Sequence, residues 1–122
     1  MNFNKDIGRY GEDLACKFLK NQKYYILSRN FQTRYGEVDI ICKKDDLIIF
    51  CEIKSRYTNS FGTPVESVTC YKKSKIISIS SYYIYKYKLF NYNIRYDVLE
   101  VLFNNLNNTY KINHIIDAFR TY

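Results

Sequence analysis

Two strongly β-forming segments, residues 37–43 and 47–56, meet across Lys44-Asp45-Asp46. That spacing predicts an antiparallel hairpin. With the turn centred on Asp45-Asp46, the numbers of directly opposed residues sum to 91. Ile40 then opposes Cys51, Asp39 opposes Glu52, and Glu37 opposes Lys54. Side chains alternate faces along a strand. Glu37 and Asp39 are therefore expected on one face, with Val38 and Ile40 on the other. Glu52 and Lys54 share a face, while Cys51 and Ile53 join the apolar side. Opposed residues hold their Cβ atoms about 4.5–5.5 Å apart. A one-residue slip would spoil both faces at once.

The rest of the chain reads around that hairpin. In residues 5–22, Ile7, Leu14, Phe18 and Leu19 fall on one helical stripe, with Gly8, Gly11 and Ala15 beside them. Glu12 plots near the edge of that stripe. Residues 24–31 form a short β-rich run, and Gly36 interrupts the chain before the hairpin. Phe61-Gly62-Thr63-Pro64 reads as a loop. Residues 66–88 combine helical spacing of Ile76, Ile79, Ser80, Tyr83 and Tyr87 with a β-leaning composition. More than 20 residues without Gly or Pro is long for a strand, so a helix is expected. Residues 94–103 and 110–116 read as the last strands. The order is helix, three strands, helix, two strands. It predicts a single α/β domain over residues 1–122, with a mixed sheet of about five strands and two main helices.

Composition narrows the function. No apolar run of about 18 residues occurs, so no transmembrane helix is expected. The N-terminus lacks a signal-peptide core, and a cytoplasmic protein is expected. The cysteines at 16, 42, 51 and 70 match no common zinc spacing and read as reduced, buried thiols. The lone histidine, His114, excludes chemistry that needs two imidazoles and reads as a partly exposed strand-end residue. Neither phosphate-binding glycine motif is present. Nineteen Lys and Arg against twelve Asp and Glu give a net charge of +7, which favours an anionic partner. An AT-rich coding sequence produces the same Lys, Tyr and Asn bias, so charge alone does not choose that partner. Between Glu66 and Asp97 there is no acid, while Lys72, Lys73, Lys75, Lys86, Lys88 and Arg95 occur there. A basic helix of this kind suits a phosphate backbone; a solvated face is the plainer alternative.

The chemistry rests with the hairpin. Two carboxylates held close on half-buried strands repel one another, and a divalent cation makes the pair favourable. Mg²⁺ takes one or two carboxylates plus phosphate and water. Asp39 and Glu52 would bind it, Lys54 would stabilise a phosphate oxygen or position the attacking water, and Glu12 would add a further ligand. This is the equipment of metal-dependent phosphodiester hydrolysis. E-x-K alone is common by chance, and Asp39 alone suits a strand end. The combination on adjacent strands is the stronger signal.

The order of helix acid, strand Asp and strand E-x-K resembles the PD-(D/E)-x-K nuclease superfamily, with its restriction-endonuclease-like fold. In layout the chain is similar to archaeal Holliday junction resolvases. It resembles more closely the YraN-like family of small bacterial proteins, which are expected to be endonucleases. The resemblance runs through Gly8-Arg9-Tyr10-Gly11-Glu12, Arg29-Asn30, Gly36-Glu37-Val38-Asp39-Ile40 and Phe50-Cys51-Glu52-Ile53-Lys54-Ser55-Arg56. It continues through Phe61-Gly62-Thr63-Pro64, Lys72, Arg95-Tyr96-Asp97-Val98 and Asp117-Ala118-Phe119. It implies a catalytic set of Glu12, Asp39, Glu52 and Lys54. It also implies that the Ile53 carbonyl joins Asp39 and Glu52 as a metal ligand. Val38 stands where the superfamily has Pro, and Cys51 where Val is usual.

The expected activity is that of a Mg²⁺- or Mn²⁺-dependent DNA endonuclease; a junction or flap is one substrate class it admits, and the sequence does not choose among junction, flap and nick. Arg34, Arg56, Lys72 and Lys73 are the candidate phosphate contacts; surface ion pairs are the alternative for each. A non-catalytic nucleic-acid-binding module, or an interaction subunit of a DNA-processing assembly, are the competing readings. Analogy with junction resolvases admits a homodimer, which nothing in the sequence itself shows.

Overall fold

A computed structural model describes residues 6–58 and 68–121. The loop expected at Phe61-Gly62-Thr63-Pro64 lies outside the described residues. The elements are α1 (Ile7–Asn21), β1 (Tyr25–Thr33), β2 (Gly36–Lys44), β3 (Leu47–Tyr57), α2 (Cys70–Lys86), β4 (Asn93–Asn104) and β5 (Thr109–Phe119). They form an α/β fold with one mixed five-stranded sheet in the order β1-β2-β3-β4-β5. Only β3 and β4 run parallel. That pair needs a crossover, and α2 supplies it.

The helices start where the sequence offers caps. The Asp6 side chain accepts a hydrogen bond from the Arg9 N–H, and the Thr69 side chain accepts one from the Lys72 N–H. α1 packs on one face of the sheet through Ala15 and Leu19, against Ile40, Cys51, Ile53 and Val101. α2 packs on the other face through Ile76, Ile79 and Tyr83, against Val38, Ile41, Phe50 and Val98. The sheet is thus buried on both sides, which explains the near-continuous apolar run of residues 47–53.

The hairpin register is the expected one from Lys44↔Leu47 to Ile40↔Cys51, and there it stops. Asp39 is not paired opposite Glu52, nor Glu37 opposite Lys54. Val38 and Ile40 also do not share a face: Val38 lies in the α2-side core and Ile40 in the α1-side core. The reason lies on β1, where Asn30 stands between the paired residues Arg29↔Ile40 and Phe31↔Val38. Asn30 is left-handed at φ 51°, a conformation Asn tolerates better than most residues. The alternation therefore flips at Asn30 and Asp39 together. Simple strand periodicity does not anticipate this step.

His114 is also placed differently from the sequence expectation. It lies within β5 with its side chain only 10% exposed, and its Nε2 is 2.7 Å from Asp97 Oδ2. Of the cysteines, Cys16, Cys42 and Cys51 are buried, but Cys70 is exposed at the start of α2. No described helix is long and apolar enough to cross a membrane.

Candidate metal and phosphate site

Four acidic side chains converge where β2 and β3 part. Asp39 sits at the flip, and its Oδ2 accepts a hydrogen bond of 2.8 Å from the Ile53 N–H. Glu52 follows Phe50 by strand alternation onto the α2 side and is 3% exposed. Glu37, one residue before Val38, turns the other way and accepts from Gln32 Nε2 at 3.2 Å. Glu12 approaches from α1. The acids therefore arrive from both faces of the sheet, and not from the single face that alternation predicts.

Gly11 sets how closely α1 approaches. A Cβ added there would lie 1.8 Å from Ser55 Oγ and 3.0 Å from Ser55 Cβ. Only a residue without a side chain lets the helix backbone rest on β3 at this point. The next residue, Glu12, is then held at the seam. Its Oε1 is buried with no hydrogen-bond partner among the described residues, and so is Ser55 Oγ.

The electrostatics show a site with excess negative charge. Burial, and then the Glu52 carboxylate, push Asp39 up to about 7, against the opposing pull of the Ile53 N–H. Burial, followed by Glu37, raises Glu12 as well, with Arg29 pulling the other way. Carboxyls perturbed in this way make the seam a candidate functional site. Two lysines respond to the same charge. Lys54 Nζ stands 3.7 Å from Glu52 Oε1, and the Lys72 ammonium pairs directly with that same oxygen. Burial, with Lys72 close by, lowers Lys54. Burial also opposes the charge on Lys72, but its hydrogen bond to Glu52 outweighs this and raises it.

The remaining candidate contacts lie apart from this group. Arg34 belongs to the β1–β2 turn, where its Nη2 donates to the Tyr35 hydroxyl at 2.8 Å. Arg56 is engaged by Glu100, Nε to Oε2 at 2.7 Å. The Lys73 ammonium lies 5.7 Å from the Phe119 ring centroid. Lys72, expected on the phosphate backbone, instead faces Glu52 from the first turn of α2. The sequence marked Lys72 as a candidate phosphate contact, but not as the partner of Glu52. Glu37 is the acid whose part at the seam the sequence concealed, because the assumed alternation set it opposite Lys54.

No three His, Cys, Asp or Glu side chains form a ready-made metal cage among the described residues. Mg²⁺ does not need one, since it keeps several waters and takes one or two carboxylates. The donor set fits it. Asp39 and Glu52 offer hard oxygens whose mutual repulsion a cation would relieve. The N–H and C=O of one strand residue point to the same edge. The Ile53 carbonyl therefore faces the strand edge that carries Asp39.

Comparison with known proteins places these residues in a wider group. Residues 11–101 match the model of the uncharacterised protein family UPF0102. That span includes Glu12, Asp39, Glu52, Lys54 and Lys72. A UPF0102 protein of Clostridium perfringens (strain ATCC 13124) is 53% identical over 118 residues, covering 97% of each chain. One from Clostridium botulinum (strain Eklund 17B) is 50% identical over 119 residues, covering 98% of each. One from Clostridium beijerinckii is 51% identical over 117 residues, covering 96% of this chain and 95% of its own.

Proposed function

This chain belongs to the uncharacterised protein family UPF0102, the YraN-like family its motifs resemble, and we propose that it is a divalent-cation-dependent DNA endonuclease. The observation that carries this reading is the charge state of the seam. Burial, and then the buried Glu52 carboxylate, push half-buried Asp39 up to about 7, and two lysine ammoniums gather on Glu52. Carboxylates crowded together reduce stability, and a structural role gives no reason to keep them.

In this reading Asp39, Glu52 and the Ile53 carbonyl would hold Mg²⁺ or Mn²⁺. The bound ion supplies a Lewis acid that activates water and neutralises charge developing on the scissile phosphate. The Ile53 N–H fixes the Asp39 carboxyl through its Oδ2. Lys54, with its ammonium above Glu52, is placed to meet a phosphate oxygen or orient the attacking water. Lys72 neutralises Glu52, a role a bound cation would share. Glu12 Oε1, buried with no hydrogen-bond partner among the described residues, would be free to accept a hydrogen bond there.

The test is cleavage of four-way junction, flap, single-stranded and duplex DNA in Mg²⁺, Mn²⁺ or EDTA, beside Lys54→Ala and Asp39→Asn. Metal-dependent cutting that falls by about 10²-fold or more in both variants is expected. DNA binding without cutting, unchanged by EDTA and by both substitutions, would instead identify a non-catalytic nucleic-acid-binding module.

A further inference from the structure

We propose that the hollow between the β1–β2 turn and α2 seats unpaired bases of the DNA strand being cut. This inference rests on the nuclease reading and names its substrate class. The hollow has a volume of about 420 Å³ and is lined by residues 32–35 of the turn together with Phe31, Tyr82 and Lys86. No acid lines it. Two aromatic rings stand at its rim in solvent, Tyr35 at 46% and Tyr82 at 45% exposure. Each ring carries a cation. The Arg34 guanidinium lies 5.0 Å from the Tyr35 ring centroid, and Lys86 Nζ lies 5.8 Å from that of Tyr82. Lys75, from the same helix, stands 5.9 Å from the Tyr35 centroid.

AT-rich coding accounts for the abundance of tyrosine, but not for this placement. Lys75, Ile79, Tyr82 and Lys86 recur at the spacing of one helical stripe. Ile79 passes beneath the turn, with its Cδ1 3.8 Å from a Cβ built on Gly36. The stripe therefore presents Tyr82 and both lysines to the turn that carries Arg34 and Tyr35. Exposed rings interleaved with cations are what a single strand needs: faces on which bases stack, and charges that follow the phosphates. A duplex keeps its bases stacked inside and cannot use such rings.

The hollow also extends along the chain toward the metal and phosphate site. It shares Gln32 and Thr33 with a smaller hollow of about 230 Å³, which Gly36 and Glu37 complete. Gly36 lies three residues before Asp39 on β2, about 10 Å at the rise of a strand. A single strand covers that separation within a few nucleotides. Bases stacked on Tyr35 and Tyr82 would thus set a nearby phosphate of the same strand over Asp39 and Glu52.

The experiment is binding of the full chain, in EDTA, to a 2-aminopurine-labelled single strand and to the same strand in a duplex. Wild type, Tyr35→Ala/Tyr82→Ala and Tyr35→Phe/Tyr82→Phe are compared, with far-UV circular dichroism to confirm that each is folded. Both tyrosines are exposed, so neither change opens the core. Expected are preferential binding and fluorescence quenching of the single strand, weakened about 5-fold or more in the alanine variant and retained in the phenylalanine variant. Equal wild-type affinity for single strand and duplex would overturn the proposal. So would an alanine variant within about twofold of wild type, or a phenylalanine variant as weak as the alanine one. Because no metal is present, this result is independent of cleavage. A chain that shows the expected stacking but cuts none of the four DNA substrates keeps the platform and loses the nuclease reading. A chain that cuts but shows no stacking keeps the nuclease reading and loses the platform.

Discussion

Asp39 and Asp97 are both low-exposure aspartates, and their surroundings drive them in opposite directions. Burial alone would raise Asp97, but hydrogen bonds from His114, Arg95 and the Asp117 N–H outweigh it and hold the carboxyl below its ordinary range. Its contribution to stability is present above the ordinary aspartate value and fades as pH falls through the lowered one. That network is structural, and it accounts for the buried setting of His114. Asp39 has one donor, the Ile53 N–H, and a carboxylate neighbour, and it titrates near 7 instead of 3.8. Between those values the folded chain keeps a proton that the unfolded chain has released. Stability must therefore fall as pH rises across that window, and the full penalty remains above it. Asp39→Asn removes the charge but keeps an acceptor for the Ile53 N–H. In EDTA, thermal unfolding should show it more stable than wild type at pH 8, by about 2–4 kcal/mol, with little difference at pH 4. An Asn variant less stable than wild type at pH 8 would remove the claim that repulsion acts on Asp39.

Among the elements, α1 shows how a local rule is overridden. Glycine inside a helix is ordinarily about 1 kcal/mol worse than alanine. At position 11 the sign reverses, because the added methyl would meet Ser55 Oγ at 1.8 Å on a buried strand. Gly11→Ala should cost about 1–3 kcal/mol in urea unfolding. It should also lower cleavage, by lifting Glu12 from the seam. A stabilised Gly11→Ala chain would show that α1 does not need this close approach. The hairpin was legible from the sequence because Asp45-Asp46 lies between two β-rich segments and sets the turn. α2 was legible by length, despite its β-leaning composition. The flip at Asn30 and Asp39 was not, since a single left-handed residue on β1 reverses faces on both strands without changing the spacing.

At the scale of the whole molecule, the sheet separates two apolar cores, and the proposed site lies at a seam where acids from both sides meet. The residues named as catalytic from the sequence, Glu12, Asp39, Glu52 and Lys54, all reach that seam. Lys72 joins them across the sheet from α2, a meeting that depends on the β3–α2–β4 crossover and that linear spacing does not encode. Arg56 was legible as a basic residue beside the motif, but not as the partner of Glu100, which lies 44 residues further along the chain. The central claim is that the seam is built for a divalent cation. Titration calorimetry of Mn²⁺ into the chain at pH 6, in buffers of different ionisation enthalpy, tests it directly. At that pH the raised Asp39 is mostly protonated, so binding should release about one proton, and Asp39→Asn should bind far more weakly with no such release. No Mn²⁺ binding, or binding of equal strength and without proton release in both chains, would contradict it.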